Sequence, residues 1–433
     1  MLACRTSLTQ SACLIFAAVF FPVIATAATP NVVIILGDDQ AWTDYGFMGH
    51  PVIQTPHLDR LAKESATFVR GYGPTSLCRP SLASLITGRY PHEHKIAGND
   101  PPKGTPRTEM LRHIHRLPTL PKWLGEQGYL SLQTGKWWEG NYKEGGFTHG
   151  MTHGDPSKGG RHGDEGLKIG RQGLAPIAEF LDQRGDKPFF LWYAPMLPHT
   201  PHNPPERLFA KYRAADRPPN IARYYAMCEW WDETVGEVLG MLEQRKLTEN
   251  TLVIYLTDNG WIQQPQANGY APKSKRSPYD GGLRTPILVK WPGKVTPARY
   301  DTPVSALDVA PTILTAAGIM PPNDLPGINL MEIARANGKS DRTALFGEVL
   351  DHDVADIDHP AASLQYRWLL SEGRWKLILP NPAGTPEKPD LSPTPELYDV
   401  LADPHESQNL AADHPDRVTE LTKQLNTWWT PTR

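Results

Sequence analysis

The stretch NVVIILGDDQ, residues 31–40, sets an unbroken run of apolar, mostly β-branched residues against two adjacent carboxylates. A run without alternating polar positions suits a strand buried on both faces, as in a parallel sheet. PFFLWYAP (188–195) and NTLVIYLTDNG (250–260) repeat the design, an apolar strand followed by a polar or proline-rich loop. Between them lie helix-like stretches, PHLDRLAKES, TLPKWLGEQG and YAMCEWWDETVGEVLGMLEQR. This alternation predicts an α/β fold with a large, mostly parallel (mixed) central sheet flanked by helices. Ligands of such sheets bind beyond the carboxyl ends of the strands, where Asp38, Asp39, Asp258 and Asn259 would stand together.

Past about residue 340 the character changes. YRWLLSEGRWKLIL (366–379) reads as two short strands joined at Glu372-Gly373, a hairpin signal. DRVTELTKQLNTWW (416–429) places Val418, Leu421, Leu425 and Trp428 on one helical face, with Pro431 beyond its end. The expected organisation is an α/β domain over 28–340 and a smaller C-terminal α+β subdomain with an antiparallel sheet over 341–433. The chain shows no internal repeats.

At 433 residues, 39% hydrophobic and 21% charged, the chain has the composition of an ordinary globular protein. Its start has the form of a signal peptide over 1–27: Arg5, an apolar run from Ala12 to Ala25, and a small-residue cleavage site at Ala25-Thr26-Ala27. The run is shorter than the ~20 residues of a spanning helix, and no later segment is apolar enough to span. The expectation is a secreted or periplasmic protein with no stable membrane insertion. Cleavage after Ala27 leaves 43 basic and 47 acidic residues, a net charge of −4, which gives no reason to expect a nucleic-acid partner. It also leaves two cysteines, Cys78 and Cys228. A disulfide between them is open in an oxidising compartment, although Cys228 sits in a helix-like stretch and reads as a small buried hydrophobe.

The paired acids at two strand ends offer several hard oxygens, the ligands that Ca²⁺ or Mg²⁺ requires. Either alone has a plainer reading, since DNG is a common turn and an isolated Asp-Asp is usually just solvated. Lys136 in QTGKWWEG, His199 and His202 in APMLPHTPHNPP, and Lys275 in PKSKRSPYDGG all lie in loop-like segments. Gathered beside a divalent cation, such groups suit a doubly negative tetrahedral oxyanion, sulfate or phosphate. Cys78 precedes Pro80 and a helix expected to run to Gly88. That places it at a helix N-terminus, where backbone N–H groups favour an anion. A catalytic thiolate and an inert buried cysteine are both open from this alone.

CRPSLASLITGR (78–89) resembles the signature of the formylglycine-dependent sulfatase family, of the alkaline-phosphatase-like superfamily, in which the cysteine becomes formylglycine (3-oxoalanine). VVIILGDDQ, TGKWW, PHTPHNPP, LTDNG, YDGGLRTP and ELYDVLADPHESQNL are similar to further family segments and stand in the family's order. The resemblance implies Ca²⁺ on Asp38, Asp39, Asp258 and Asn259, acting as Lewis acid, with formylglycine at 78 as nucleophile, made by a formylglycine-generating enzyme. Its hydrated aldehyde offers two hydroxyls, one to attack sulfur and one to expel sulfate afterwards. Lys136 and Lys275 match the lysines on the sulfate oxygens, Lys275 near the leaving group. His199 matches the histidine that protonates the leaving oxygen.

Two positions depart from the pattern: Leu82 stands where the family carries arginine, and Trp138 where it carries histidine. Arg79, His149 and His153 are candidates to take over their roles. The resemblance implies an exported sulfuric ester hydrolase acting on a sulfated small molecule or polysaccharide. Trp137, Trp138, Trp230, Trp231 and Trp261 are available to stack on sugars. A phosphodiesterase or phosphonate hydrolase of the same superfamily, and an inactive glycan-binding relative, are the alternatives.

Overall fold

Strand β1 (Asn31–Gly37) is buried along its whole length, and its two faces feed two separate cores. Val32, Ile34 and Leu36 join one cluster and Val33 and Ile35 the other, the alternation that a pleated strand imposes. Burying those five side chains is worth roughly 10 kcal/mol before the entropy of ordering them. The chain is described here from a computed structural model that covers residues 29–154, 165–384 and 391–431. The expected signal peptide lies outside these described residues.

β1 is the centre of a nine-stranded mixed sheet. Its other strands are β2 (Ala66–Tyr72), β3 (Leu130–Gly135), β4 (His149–Gly150), β5 (Phe189–Ala194), β6 (Thr251–Thr257), β7 (Arg284–Lys290), β8 (Ala298–Tyr300) and β9 (Val304–Ser305). The order is β4-β3-β5-β1-β6-β7-β2-β8, with β9 also on β2. Only the β6–β7 and β7–β2 pairings are antiparallel, so the sheet is mostly parallel. One face is covered by α1 (Pro56–Lys63) and the long helix Pro219–Gln244, and the other by α2 (Cys78–Thr87) and helix Val309–Ala316. The long helix starts six residues ahead of the stretch that looks helical in sequence, with Pro219 in its first turn, a position that needs no N–H.

A second, fully antiparallel sheet follows: β10 (Ala344–Leu350), β11 (Leu364–Ser371), β12 (Trp375–Pro380) and β13 (Glu396–Asp399). Glu372 and Gly373, at φ 52° and 64°, turn β11 into β12, the conformation of a tight hairpin. Helix Pro415–Trp428 lays Leu421 and Leu425 onto Leu369, Leu377 and Leu397 of this sheet. Tyr72, Tyr279 and Leu283 share a cluster with Leu345, Tyr366 and Trp368 and so join the two sheets. Lys376, Asp280 and Glu406 form a buried ion network at the same junction.

Candidate functional site

Four neighbouring parallel strands end at one edge of the sheet, and each delivers chemistry there. β1 runs into Asp38-Asp39, β6 into Asp258-Asn259, β3 into Lys136, and β5 into the loop that carries His199. Gly135 makes the β3 exit possible. Its φ is +72°, and a Cβ there would lie 1.9 Å from the Ala194 carbonyl oxygen, so only glycine fits. Lys136 N donates to that same carbonyl at 2.5 Å, which turns its side chain onto the carboxylates.

Lys136 Nζ lies 2.6 Å from Asp38 Oδ1 and 3.2 Å from Asp258 Oδ2. Lys275 Nζ lies 2.6 and 2.7 Å from the two oxygens of Asp39, and His199 Nε2 is 3.4 Å from Asp39 Oδ2. Asn259 Nδ2 donates to Asp39 Oδ1 at 2.6 Å, and its backbone N–H donates to Asp258 Oδ1 at 2.7 Å. Ser81 Oγ of α2 donates to the Asp258 carbonyl, and the backbone N–H of Arg276, next to Lys275, donates to the Ser76 carbonyl. The helix carrying Cys78 is thereby tied to the carboxylate loop, and the Lys275 loop to the segment just before Cys78.

Cys78 is the first residue of α2 and is buried. Its sulfur lies within 4.8 Å of carboxylate oxygens of Asp38 and Asp39. Burial pushes the thiol up to about 11 despite Lys136 and Lys275 nearby, so the helix N-terminus does not make Cys78 a thiolate at neutral pH. Cys78 and Cys228 are both free, so the disulfide considered for them does not form. Cys228 packs with Ile53, Tyr224 and Trp261 as a small hydrophobe.

The charges test what the site could hold. Three buried carboxylates face two ammonium groups, leaving one negative charge in excess in a region of low polarity. Burial, with the charges of Asp258 and Asp39, holds the Asp38 carboxyl well above the usual range, Lys136 notwithstanding. Burial would also raise Asp39, but Lys275 and His199 bring it down to about 2. Asp38 Oδ2 and Asn259 Oδ1 are buried and accept no hydrogen bond among the described residues. Such orphaned acceptors are costly, and a hard divalent cation would satisfy both. Asp39 holds φ +64°, a region that Asp tolerates better than most residues. The donor set fits a metal of the Ca²⁺ type.

The Nδ1 atom of His199 lies 2.6 Å from the Thr200 carbonyl. A carbonyl can only accept, so Nδ1 carries the proton and Nε2 is the exchangeable position facing the cluster. Burial keeps His199 well below its ordinary range, in its neutral form.

The positions that depart from the family pattern are both built into packing. Leu82 lies one helical turn from Cys78 and joins the apolar cluster around it. Trp138 is buried with its ring centroid 5.8 Å from Lys136 Nζ. Arg79 does not reach the cluster. Its guanidinium is locked to Glu139 at 2.6 and 2.8 Å and to the carbonyls of Ala97, Gly98 and Met110. His149 is exposed on β4 against Phe180, and His153 is exposed, edge-on to Tyr142. Trp137 and Trp231 are fully buried in the cores and Trp261 nearly so, which makes them packing residues first. Nothing in the local sequence signals Glu139, Ser81 or Arg171, isolated polar residues whose partners are distant in the chain.

A family model described as Sulfatase matches residues 30–319, and one described as N-sulphoglucosamine sulphohydrolase, C-terminal, matches 270–430. The chain is 30% identical to Arylsulfatase A of Homo sapiens over 378 residues, 75% of this chain and 71% of that protein. It is 29% identical to N-acetylgalactosamine-6-sulfatase of Canis lupus familiaris over 377 residues, 73% of this chain and 68% of that one. A solved structure in complex with its substrate, D-glucosamine-2-N,6-O-disulfate, superimposes with TM-score 0.71 at 21% identity, covering 92% of this chain and 97% of the other. With two thirds of its length matched by the family model and the carboxylate, lysine and cysteine segments in place, this chain belongs to the sulfatase family, the sulfuric ester hydrolases.

Proposed function

We propose that this protein removes sulfate from a sulfated carbohydrate through a formylglycine formed from Cys78, with Ca²⁺ held by Asp38, Asp39, Asp258 and Asn259. The observation that carries the reading is the placement of Cys78: a buried, un-ionised thiol at the start of α2, beside the Asp38 and Asp39 carboxylates. Lys136 and Lys275 reach those same carboxylates. A thiol so disfavoured as an anion suits a precursor better than a nucleophile. When present, Ca²⁺ supplies Lewis-acid polarisation of sulfate oxygens and formylglycine the attacking hydroxyl.

The remaining roles belong to the chain's own side chains. Lys136 and Lys275 neutralise the sulfate oxygens from two sides. His199 delivers a proton from Nε2 to the departing alcohol oxygen, while its Nδ1–H stays on Thr200. The expected domain organisation, 28–340 catalytic and 341–433 accessory, and export by a signal peptide over 1–27 belong to the same reading. Among the described residues no helix is long and apolar enough to cross a membrane. The sugar is the substrate class because the relatives named above act on an N-acetylgalactosamine sulfate and on a glucosamine disulfate.

The test is mass spectrometry of the Cys78 peptide from protein co-produced with a formylglycine-generating enzyme, followed by ion chromatography of sulfate released from a panel of sulfated sugars. Conversion together with release supports the reading. Fully converted protein that frees no sulfate would instead favour a glycan-binding relative, the reading motivated by Leu82 and Trp138.

A further inference from the structure

His199 is presented by a loop, and one distant side chain gathers that loop. Arg171 Nε donates to the Met196 carbonyl at 3.1 Å, and Nη2 to the carbonyls of Met196 and His199 at 2.7 and 2.8 Å. Nη1 donates to the Pro201 carbonyl at 3.3 Å and to Asn203 Oδ1 at 2.5 Å. Every N–H of the guanidinium is thus directed at residues 196–203, and each of these acceptors is a carbonyl or amide oxygen, not a carboxylate. The guanidinium also lies 5.8 Å from the Trp230 ring centroid, on the long helix Pro219–Gln244, which anchors it to a rigid element. The planar five-donor fork is what such a multidentate grip requires; a lysine offers a single point charge instead.

We infer that Arg171 is a positioning residue for the leaving-group proton transfer, holding the 196–203 loop so that His199 Nε2 faces the reacting oxygen. This rests on the reading of His199 as the general acid. The grip includes the His199 carbonyl itself, while the imidazole's Nδ1–H is spent on Thr200 of the same loop. The ring therefore has no support from outside the loop except Asp39, and loop and ring move together. A displacement of about 1 Å costs a catalytic group much of its effect. Lys136, Lys275 and the carboxylates are carried by other segments and stay in place without Arg171.

The chemistry provides a readout that lost stability would not move. Sugar alkoxides are poor leaving groups and depend on the acid, whereas nitrophenolate departs with little help. The experiment measures kcat and KM of converted wild type, Arg171→Lys and Arg171→Met on aryl sulfates of graded leaving-group pKa and on the best sugar sulfate. Loss of kcat should grow along the series, to ~10²-fold for the sugar sulfate and no more than ~10-fold for 4-nitrophenyl sulfate, with KM within about threefold of wild type. The same factor on every substrate, or no loss, would overturn the assignment. So would an Arg171→Lys protein that fails to fold by circular dichroism, because the position would then serve stability. Failure of the underlying reading looks different: wild type would release no sulfate, or His199→Ala would itself lose activity equally on all leaving groups.

Discussion

Converting Asp38 to asparagine should stabilise the protein without Ca²⁺ and remove its response to Ca²⁺. Asp38, Asp39 and Asp258 are buried against only two ammonium groups, so the cluster carries one uncompensated charge until a cation joins it. The amide of the Asp38→Asn variant would keep an oxygen for Lys136 and delete that charge, while Lys136 keeps Asp258 at 3.2 Å. Burial already drives Asp38 away from its charged form, which sets the sign of the effect: Tm of the metal-free variant rises. For wild type, Ca²⁺ at 100 times its Kd adds ~2.7 kcal/mol. A chain of 433 residues has an unfolding entropy of ~0.9 kcal/mol/K, so the expected shift is about 3 °C. Differential scanning fluorimetry of both proteins, after EDTA and with Ca²⁺ restored, reads both quantities without reference to activity. A variant with lower Tm than wild type in EDTA, or one that keeps the full Ca²⁺ shift, would refute the argument that these oxygens form a cation site.

Three further outcomes follow from named contacts. Glu139→Gln breaks a buried bidentate pair with Arg79 and should cost ~3–5 kcal/mol, a Tm lower by about 4 °C by the same entropy scale, measured by calorimetry. Gly135→Ala drives a Cβ into the Ala194 carbonyl and should displace Lys136. Soluble protein with wild-type sulfate release would contradict that placement. Glu406 shares Lys376 with Asp280, and burial first, then the Asp280 charge, hold it up to about 7 against an ordinary 4.5. Because the folded state binds this proton more tightly, its contribution is fully present below about pH 4.5 and is lost as pH rises through about 7. Wild-type Tm should carry that decline, and Glu406→Gln should flatten it in a pH series of thermal melts.

The strands that sequence made legible were those buried on both faces, because a continuous apolar run needs no partner to be recognised. β1, β5 and β6 are of that kind. β2, β3 and β7 were hidden: ATFVRGY, LSLQTG and RTPILVK mix polar residues into buried strands. Thr67 donates to the Ala62 carbonyl, Gln133 to that of Gly135 and Thr134 to that of Trp192, so the burial of these groups is compensated by contacts that no local pattern encodes. The hairpin at Glu372-Gly373 was legible because turn chemistry is local.

By itself the sequence determined that carboxylates stand at the ends of apolar strands and that Cys78 begins a helix. Strand ends and helix starts are set by neighbours within a few residues. What only the tertiary structure decided is which charges meet. Lys136 closes on Asp38 across 98 positions and Lys275 on Asp39 across 236. Arg79 is claimed by Glu139 rather than by the site, and Arg171 is committed to the loop of His199. A charged side chain long enough to reach several partners takes the one that the fold buries beside it, since desolvation is offset only by an opposite charge or a full set of hydrogen bonds.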